Sequence, residues 1–234
     1  MTASMGRAEP MASADLLSSR EAGSLCASYL QAQLGGNRRE ALRLIMEDGL
    51  QRGLTCIDVH KVIQQAQSEI GRLWQEDRIT IAQEHMATAI SQVVLSHVYQ
   101  YAEATPSNGK KVLVACVEGE LHDFPSRLVA DALDLAGFEV RYLGASVPHA
   151  SLLAMIESHA PDLLVLSVTM AFNVPSLREA TRRIRERHPN LPVAVGGGAC
   201  TWQPALASEV GASLAGNDAA DLVEKAQLLL GVGS

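Results

Sequence analysis

The sequence predicts an α + α/β protein in which an N-terminal four-helix bundle precedes a doubly wound, five-stranded parallel sheet. From about residue 13 to residue 104, every segment has the apolar spacing of a helix. The polar, turn-rich stretch TPSNGK at 105–110 marks the end of that region. From 111 to 234, short apolar runs alternate with helical patterns, as in sheets of parallel strands. Residues 1–12 are rich in small side chains and lack periodicity, which predicts a disordered leader.

The four helices of the predicted bundle have recognisable ends. The first stops at Gly35–Gly36, and Asn37 is a suitable cap for the second. The third follows Thr55, and the fourth opens with a capping box formed by Thr80 and Gln83. Short connections between helices of this length indicate a bundle. The third helix carries its apolar residues on one stripe: Val59, Ile63, Ala66, Ile70 and Leu73.

The region after residue 110 alternates strands and helices. The predicted strands are 111–117, 138–143, 162–168, 191–196 and 212–215. The predicted helices are 126–136, 149–159, 175–188, 202–209 and 218–230. Short and nearly all-apolar strands separated by helices are typical of a buried parallel sheet with helices on both faces. This order favours a flavodoxin-like (Rossmann-type) topology.

Composition and charge exclude several classes of protein. The 234 residues are 47% apolar, which is enough for a sizeable core. Nineteen basic and 26 acidic residues give a net charge of −7, whereas a stand-alone nucleic-acid-binding protein needs a basic surface. No segment reaches the roughly 18 uninterrupted apolar residues of a membrane span. The four cysteines are scattered without a CxxC pair, which indicates reduced thiols in a cytoplasmic protein.

The stretch GELHDFP (119–125) places an acid and a histidine two residues apart, where the first strand meets the next helix. Open α/β sheets bind ligands at this edge. Glu120 can hold one ring nitrogen of His122 as a donor and leave the other as a lone pair for a metal. A plain alternative stays open, in which Asp123 caps the helix, Pro125 shapes its first turn, and the histidine is only loop. The remaining histidines show no ligand spacing and are interpreted as structural or solvated: His60, His97, His149, His159 and His188.

At these residues the sequence resembles the cobalamin-binding module of methionine synthase and its relatives. That family has the pattern D/E-x-H-x-x-G just after the first strand. Here the pattern reads Glu120-Leu-His122-Asp-Phe-Pro125, with proline in place of the glycine. The resemblance extends over about residues 13–231. It implies that His122 coordinates cobalt from below and displaces the cofactor's own benzimidazole.

Two later elements of the same family follow the third and fourth strands. They are a serine motif, here Ser167-Val-Thr169, and a glycine pair, here within Gly196-Gly197-Gly198. The resemblance implies that the nucleotide tail of the cofactor runs along these residues, between sheet and helices. From the residues alone, the glycines can also be a tight turn, and Ser167 can cap local backbone. Trp202, beside the glycines, is interpreted as a core residue.

Trp74, Glu84 and His85 form a W-x9-E-H pattern across the third and fourth helices. By position alone, Trp74 can be core, Glu84 can favour the positive end of its helix, and His85 can share a buried stripe with Ile81. The pattern also resembles that of the CarH-type light-sensing B12 proteins, whose bundle covers the upper face of the corrin. That resemblance implies that Trp74 packs beside a 5′-deoxyadenosyl group and Glu84 bonds its sugar hydroxyls. It implies further that His85 takes the upper cobalt position after light breaks the Co–C bond, and imidazole suits such a metal.

These resemblances imply an adenosylcobalamin-binding photosensory module that is not itself an enzyme. The light-sensing relatives form homo-oligomers in the dark and carry a MerR-type DNA-binding domain. In this chain a short leader stands where that domain would be, so we expect no direct binding of nucleic acid. We expect the signal to pass to a separate regulator protein or through self-association, without a membrane.

Two alternatives remain open at the level of sequence. One is a corrinoid carrier protein of a methyltransferase system, because such carriers share the fold. A methyl group, however, needs no pocket for adenosine. The other is an antirepressor-like interaction protein that binds cobalamin or another tetrapyrrole.

Overall fold

The computed structural model describes residues 19–103 and 105–232. The predicted leader at 1–12 and the first six residues of the predicted bundle lie outside the described residues. We call residues 19–103 the helical part and residues 105–232 the sheet part. Within these ranges, none of the helices is both long and apolar enough to cross a membrane.

The helical part contains the predicted helices, with one local difference. The structure has α1 (Ser19–Leu34), α2 (Arg38–Arg43), α3 (Cys56–Gln75) and α4 (Ile81–Tyr101). The side chain of Asn37 caps α2, and both α3 and α4 begin with complete capping boxes at Thr55 and Thr80. The second predicted helix is α-helical only at its start. It continues as a π-helical turn (Leu44–Gly49) and a 3₁₀ turn (Leu50–Arg52).

The sheet part is a parallel sheet of five strands in the order β2-β1-β3-β4-β5, counted over the described residues. The strands are β1 (Lys111–Cys116), β2 (Glu139–Tyr142), β3 (Leu163–Ser167), β4 (Val193–Gly196) and β5 (Leu214–Ala215). The helices are α5 (Phe124–Leu135), α6 (His149–His159), α7 (Val174–Arg187), α8 (Gly198–Trp202), α9 (Leu206–Glu209) and α10 (Ala219–Leu230). This order confirms the predicted flavodoxin-like topology and places its switch point between β1 and β3.

The register brings the ends of three strands to one edge. Cys116 at the end of β1 pairs with Ser167 at the end of β3, and Ser167 pairs with Gly196 at the end of β4. The segments that follow these strands therefore lie side by side. They carry the histidine motif, the serine motif and the glycines.

The last predicted helix before β5 is divided in two. Gln203 precedes Pro204 and leaves the helical region of backbone space (φ −125°, ψ 80°), because proline disfavours a helical residue before it. Helix α8 therefore ends at Trp202, and α9 starts at Leu206. The interpretation of Trp202 as a core residue is wrong, since it is 53% exposed.

The turn after β4 requires a glycine at position 197. Gly197 has φ +99°, and a Cβ atom there would lie 2.3 Å from the carbonyl oxygen of Val168. No ordinary contact is that short, so the backbone of this turn packs directly against the end of β3. The tight-turn interpretation therefore holds for Gly197 whether or not a ligand also approaches it.

We expect Gly197→Ala to lower the free energy of unfolding by about 3 kcal/mol or more, because it adds a clash to backbone strain. Gly144→Ala is the matched control. Gly144 also has a positive φ (+78°), but no described atom would lie within 4 Å of its Cβ. The control isolates the cost of strain, about 1–2 kcal/mol. Urea denaturation of the two variants provides the comparison, and equal losses would contradict the clash.

His60 on α3 is a buried histidine without a partner. It is 2% exposed, and neither ring nitrogen has a hydrogen-bond partner in the part of the chain that the structure describes. Burial lowers its pKa to about 4. His60 is therefore neutral in the native state, as expected of a structural residue.

This burial predicts acid sensitivity. The pKa of His60 is about 4 in the folded chain, below its unfolded value near 6.5, so the unfolded state binds the proton first. Its contribution to stability is intact above pH ~6.5 and is lost as the pH falls toward 4, by up to about 3 kcal/mol. We expect His60→Leu to reduce this acid-dependent loss in urea denaturation at graded pH. His97→Leu, at an exposed position on α4, should leave it unchanged. Identical pH profiles for both variants would refute the prediction.

Candidate functional site

The loop between β1 and α5 is organised around a fully buried carboxylate, that of Glu120. Its Oε1 accepts hydrogen bonds from the backbone N–H of His122 at 2.9 Å and from His122 Nδ1 at 2.6 Å. Its Oε2 accepts from the backbone N–H groups of Thr169 and Met170, both at 2.9 Å, and from Asn173 Nδ2 at 3.0 Å. One side chain thus joins the loop after β1 to the loop after β3.

These hydrogen bonds keep Glu120 ionised. Burial by itself raises the pKa of the carboxyl group, but the bonds from His122, Met170 and Asn173 outweigh burial and lower the pKa to about 2. An ionised carboxylate only accepts hydrogen bonds, so Nδ1 of His122 carries a proton. The other nitrogen, Nε2, is then the one available to a metal. The hydrogen bond to Glu120 also raises the pKa of His122, so a proton competes with a metal for this imidazole.

The residues around this pair differ from the plain alternative for the loop. Asp123 precedes α5, but its side chain makes no cap hydrogen bond. Its Oδ2 instead accepts from the hydroxyl of Tyr142 on β2 at 3.2 Å. Pro125 lies in the first turn of α5 and is exposed, where the missing N–H of proline costs nothing.

A second imidazole–carboxylate pair lies at the start of α4. His85 Nδ1 is 2.5 Å from Glu84 Oε2, and Glu84 Oε1 accepts from the Thr88 hydroxyl at 2.9 Å. The His85 side chain is 67% exposed, whereas that of Glu84 is only 16% exposed. The alternative that His85 belongs to a buried stripe is therefore wrong. Trp74 is half-buried in the last turn of α3.

The two pairs belong to different parts of the chain but influence each other. After the hydrogen bond and the charge of Glu120, the charge of Glu84 also raises the pKa of His122, while burial opposes both. Glu84 is therefore close enough to His122 to act on it electrostatically. Of the residues in the sequence motifs, the structure brings these into one region.

The serine motif ends in two hydroxyls that lack partners. Ser167 Oγ and Thr169 Oγ1 are buried and have no hydrogen-bond partner among the described residues. The interpretation of Ser167 as a backbone cap is therefore wrong. Buried hydroxyls usually find a partner, so these two fit a polar ligand that enters beside β3. Gly196 and Gly198 adjoin this strand end, and a Cβ at Gly198 would lie 3.2 Å from the Thr169 carbonyl oxygen.

Sequence reasoning missed two features of this edge. Asn173 is buried and donates to Glu120, yet it belongs to no motif that we recognised. A polar residue at the start of the helix after β3 was the only available signal. The second feature is a set of large apolar side chains that follow β1, β3 and β4 and remain mostly exposed: Leu121, Phe172 and Trp202. Such a surface suits a large, partly apolar ligand.

Comparisons with known proteins agree with this geometry. Two family models, each described as a B12 binding domain, match residues 25–99 and 110–223. The fold matches that of a Methanosarcina barkeri monomethylamine corrinoid protein, with a TM-score of 0.77 and 20% identity over 88% of this chain and 99% of that one.

Two curated relatives represent different roles. Dimethylamine corrinoid protein 1 of Methanosarcina acetivorans is 28% identical over 74% of this chain and 82% of its own length. The HTH-type transcriptional repressor CarH of Myxococcus xanthus is 29% identical over 59% of this chain, which spans 46% of that protein. The two B12 binding domain models together cover most of the sequence, and the chain therefore belongs to the family of proteins with B12 binding domains.

Proposed function

We propose that this chain is an adenosylcobalamin-binding photosensory module rather than an enzyme. The observation that carries the proposal is the polar pair Glu84–His85, which acts electrostatically on the His122 loop. A corrinoid bound by His122 would have this pair on its upper side. A carrier of a small methyl group has no need for such a pair, whereas a nucleoside offers it hydroxyls to bind.

The lower side of the proposed site is built from the sheet part. His122 Nε2 would bind the cobalt, and Glu120 would fix the ring through Nδ1. Ser167 and Thr169, whose hydroxyls lack partners, would bond the nucleotide tail along Gly196–Gly198. When bound, adenosylcobalamin supplies the light-sensitive cobalt–carbon bond.

The upper side is built from the helical part. Trp74 would pack beside the adenosyl group, and Glu84 would accept hydrogen bonds from its sugar. Glu84 already accepts from His85 and Thr88, but a carboxylate has about four lone-pair sites and can accept more. Once the adenosyl group has left, His85 is the residue we propose for the upper position. We further propose that the dark form is a homo-oligomer and that a separate regulator protein receives the signal.

A corrinoid carrier of a methyltransferase system is the second candidate. It is favoured by the similarity to the dimethylamine corrinoid protein, which covers most of both chains. The two candidates differ in the ligand above the cobalt, so light distinguishes them.

We expect the purified protein, loaded with adenosylcobalamin in the dark, to change its absorption spectrum permanently under green light. His85→Ala should still bind the cofactor but give a different spectrum after light, because its imidazole no longer reaches the upper position. His97→Ala, on the same helix and exposed, is the control and should behave as the parent. Size-exclusion chromatography in the dark and after light tests the change in assembly. A spectrum that light leaves unchanged would favour the carrier.

We expect Glu120→Gln to weaken cobalamin binding at least tenfold, about 1.4 kcal/mol, because His122 loses its fixed orientation. The amide also turns N–H groups toward donors, which should lower the free energy of unfolding by about 3 kcal/mol. Glu118→Gln is the matched control in the same loop. Glu118 is exposed and bonded to His149, so its loss should cost less than about 1 kcal/mol. Cobalamin titration and urea denaturation measure both effects, and equal results would refute the role of Glu120.

A further inference from the structure

A chain of buried amide and hydroxyl groups leads from the core of the helical part to Glu84. Gln33 on α1 is fully buried, and its Nε2 lies 2.7 Å from Gln67 Oε1 on α3. Gln67 Nε2 donates to Thr88 Oγ1 on α4 at 2.8 Å, and Thr88 Oγ1 donates to Glu84 Oε1 at 2.9 Å. The chain therefore crosses three helices before it reaches the carboxylate.

The direction of every hydrogen bond in this chain is fixed from its buried end. Gln33 Nε2 also lies 3.2 Å from the carbonyl oxygen of Ala87, and a carbonyl oxygen only accepts. The nitrogen side of the Gln33 amide must therefore face this cluster, although its Oε1 is then left without a partner among the described residues. Gln67 consequently turns its oxygen to Gln33 and its N–H to Thr88. The single hydroxyl hydrogen of Thr88 is then free only for Glu84.

The far end of the chain determines the state of His85. Neighbouring residues on a helix point about 100° apart, so a contact between Glu84 and His85 is not favoured by helix geometry. The hydroxyl of Thr88 holds one carboxylate oxygen of Glu84 and leaves the other facing His85 Nδ1. Since that oxygen only accepts, Nδ1 must be the protonated nitrogen and Nε2 must carry the lone pair.

We infer that Gln33, Gln67 and Thr88 are positioning residues that set the tautomer and orientation of His85 through Glu84. Each donates in turn toward the carboxylate, and none of them needs to touch a ligand. The use of this tautomer for binding cobalt rests on the proposed function, but the tautomer itself is a property of the protein alone. It can therefore be measured without the cofactor.

The test is the imidazole ¹⁵N spectrum of the cofactor-free protein with labelled histidine, recorded at about pH 9, above the ordinary histidine pKa of about 6.5. The signals of His85 are identified by their loss in His85→Gln. We expect the Nδ1–H tautomer to dominate in the parent. Thr88→Val should shift His85 mainly to the Nε2–H form, whereas Thr88→Ser should restore the parent spectrum. Thr181→Val is the matched control, since Thr181 is a buried helical threonine on α7 that bonds only its own helix.

Two substitutions at Gln67 test the direction of the chain. Gln67→Glu can only accept, so it would take the Thr88 hydrogen away from Glu84 and should abolish the Nδ1–H preference. Gln67→Leu competes for nothing, so Thr88 should keep donating to Glu84 and the tautomer should persist. Circular dichroism checks that each variant is folded.

Several outcomes would overturn the inference. They are a parent protein dominated by Nε2–H, a Thr88→Val variant that keeps Nδ1–H, or equal losses in Gln67→Glu and Gln67→Leu. The predicted tautomers together with no response of the loaded protein to light would support the positioning role. That combination would remove only the light-sensing proposal.

Discussion

The buried carboxylate of Glu120 is the interaction on which the site depends. Removing a charge from water costs several kcal/mol, and this cost is recovered only when the charge is well paired and hydrogen-bonded. Here the donors come from His122, from two backbone N–H groups after β3 and from Asn173. The order of the strands makes this possible, because β1 and β3 are neighbours and their ends are in register. One carboxylate thereby fixes both the imidazole and the loop beside it.

Helix α5 transmits this arrangement to the helical part. Its residues Phe124 and Leu128 belong to the apolar core of the helical part, whereas Leu133 packs in the core of the sheet. Hydrogen bonds from Arg127 to Ser96 and from Tyr99 to Asp134 join α5 to α4 at the surface. The histidine loop ends where α5 begins, so any shift of α4 relative to the sheet acts on the start of α5. The two parts are linked mechanically through the helix that follows His122.

Local rules were enough to predict most elements of the fold, because caps and apolar periodicity are written in neighbouring residues. Thr55 and Thr80 form the capping boxes that start α3 and α4. The π-helical turn after Arg43 carries no local signal, so the sequence did not reveal it. The pairing of Glu120 with His122 is local and was predictable. The contact with Asn173 was not, because it depends on how the loop after β3 meets the loop after β1. Glu84 likewise seemed free in sequence, although its oxygens are held by His85 and Thr88.

The two imidazole–carboxylate pairs differ in how firmly they are held, and this difference suits different roles. Glu120 is fully buried and cannot release His122 without leaving a charge uncompensated, at a cost of several kcal/mol. The Glu84–His85 pair is open to water on the side of the imidazole, and an exposed pair of this kind contributes only about 0–1 kcal/mol. A permanent lower ligand needs the first property. A ligand that moves to the metal only after a signal needs the second, since a bond of low cost can be broken without disturbing the fold.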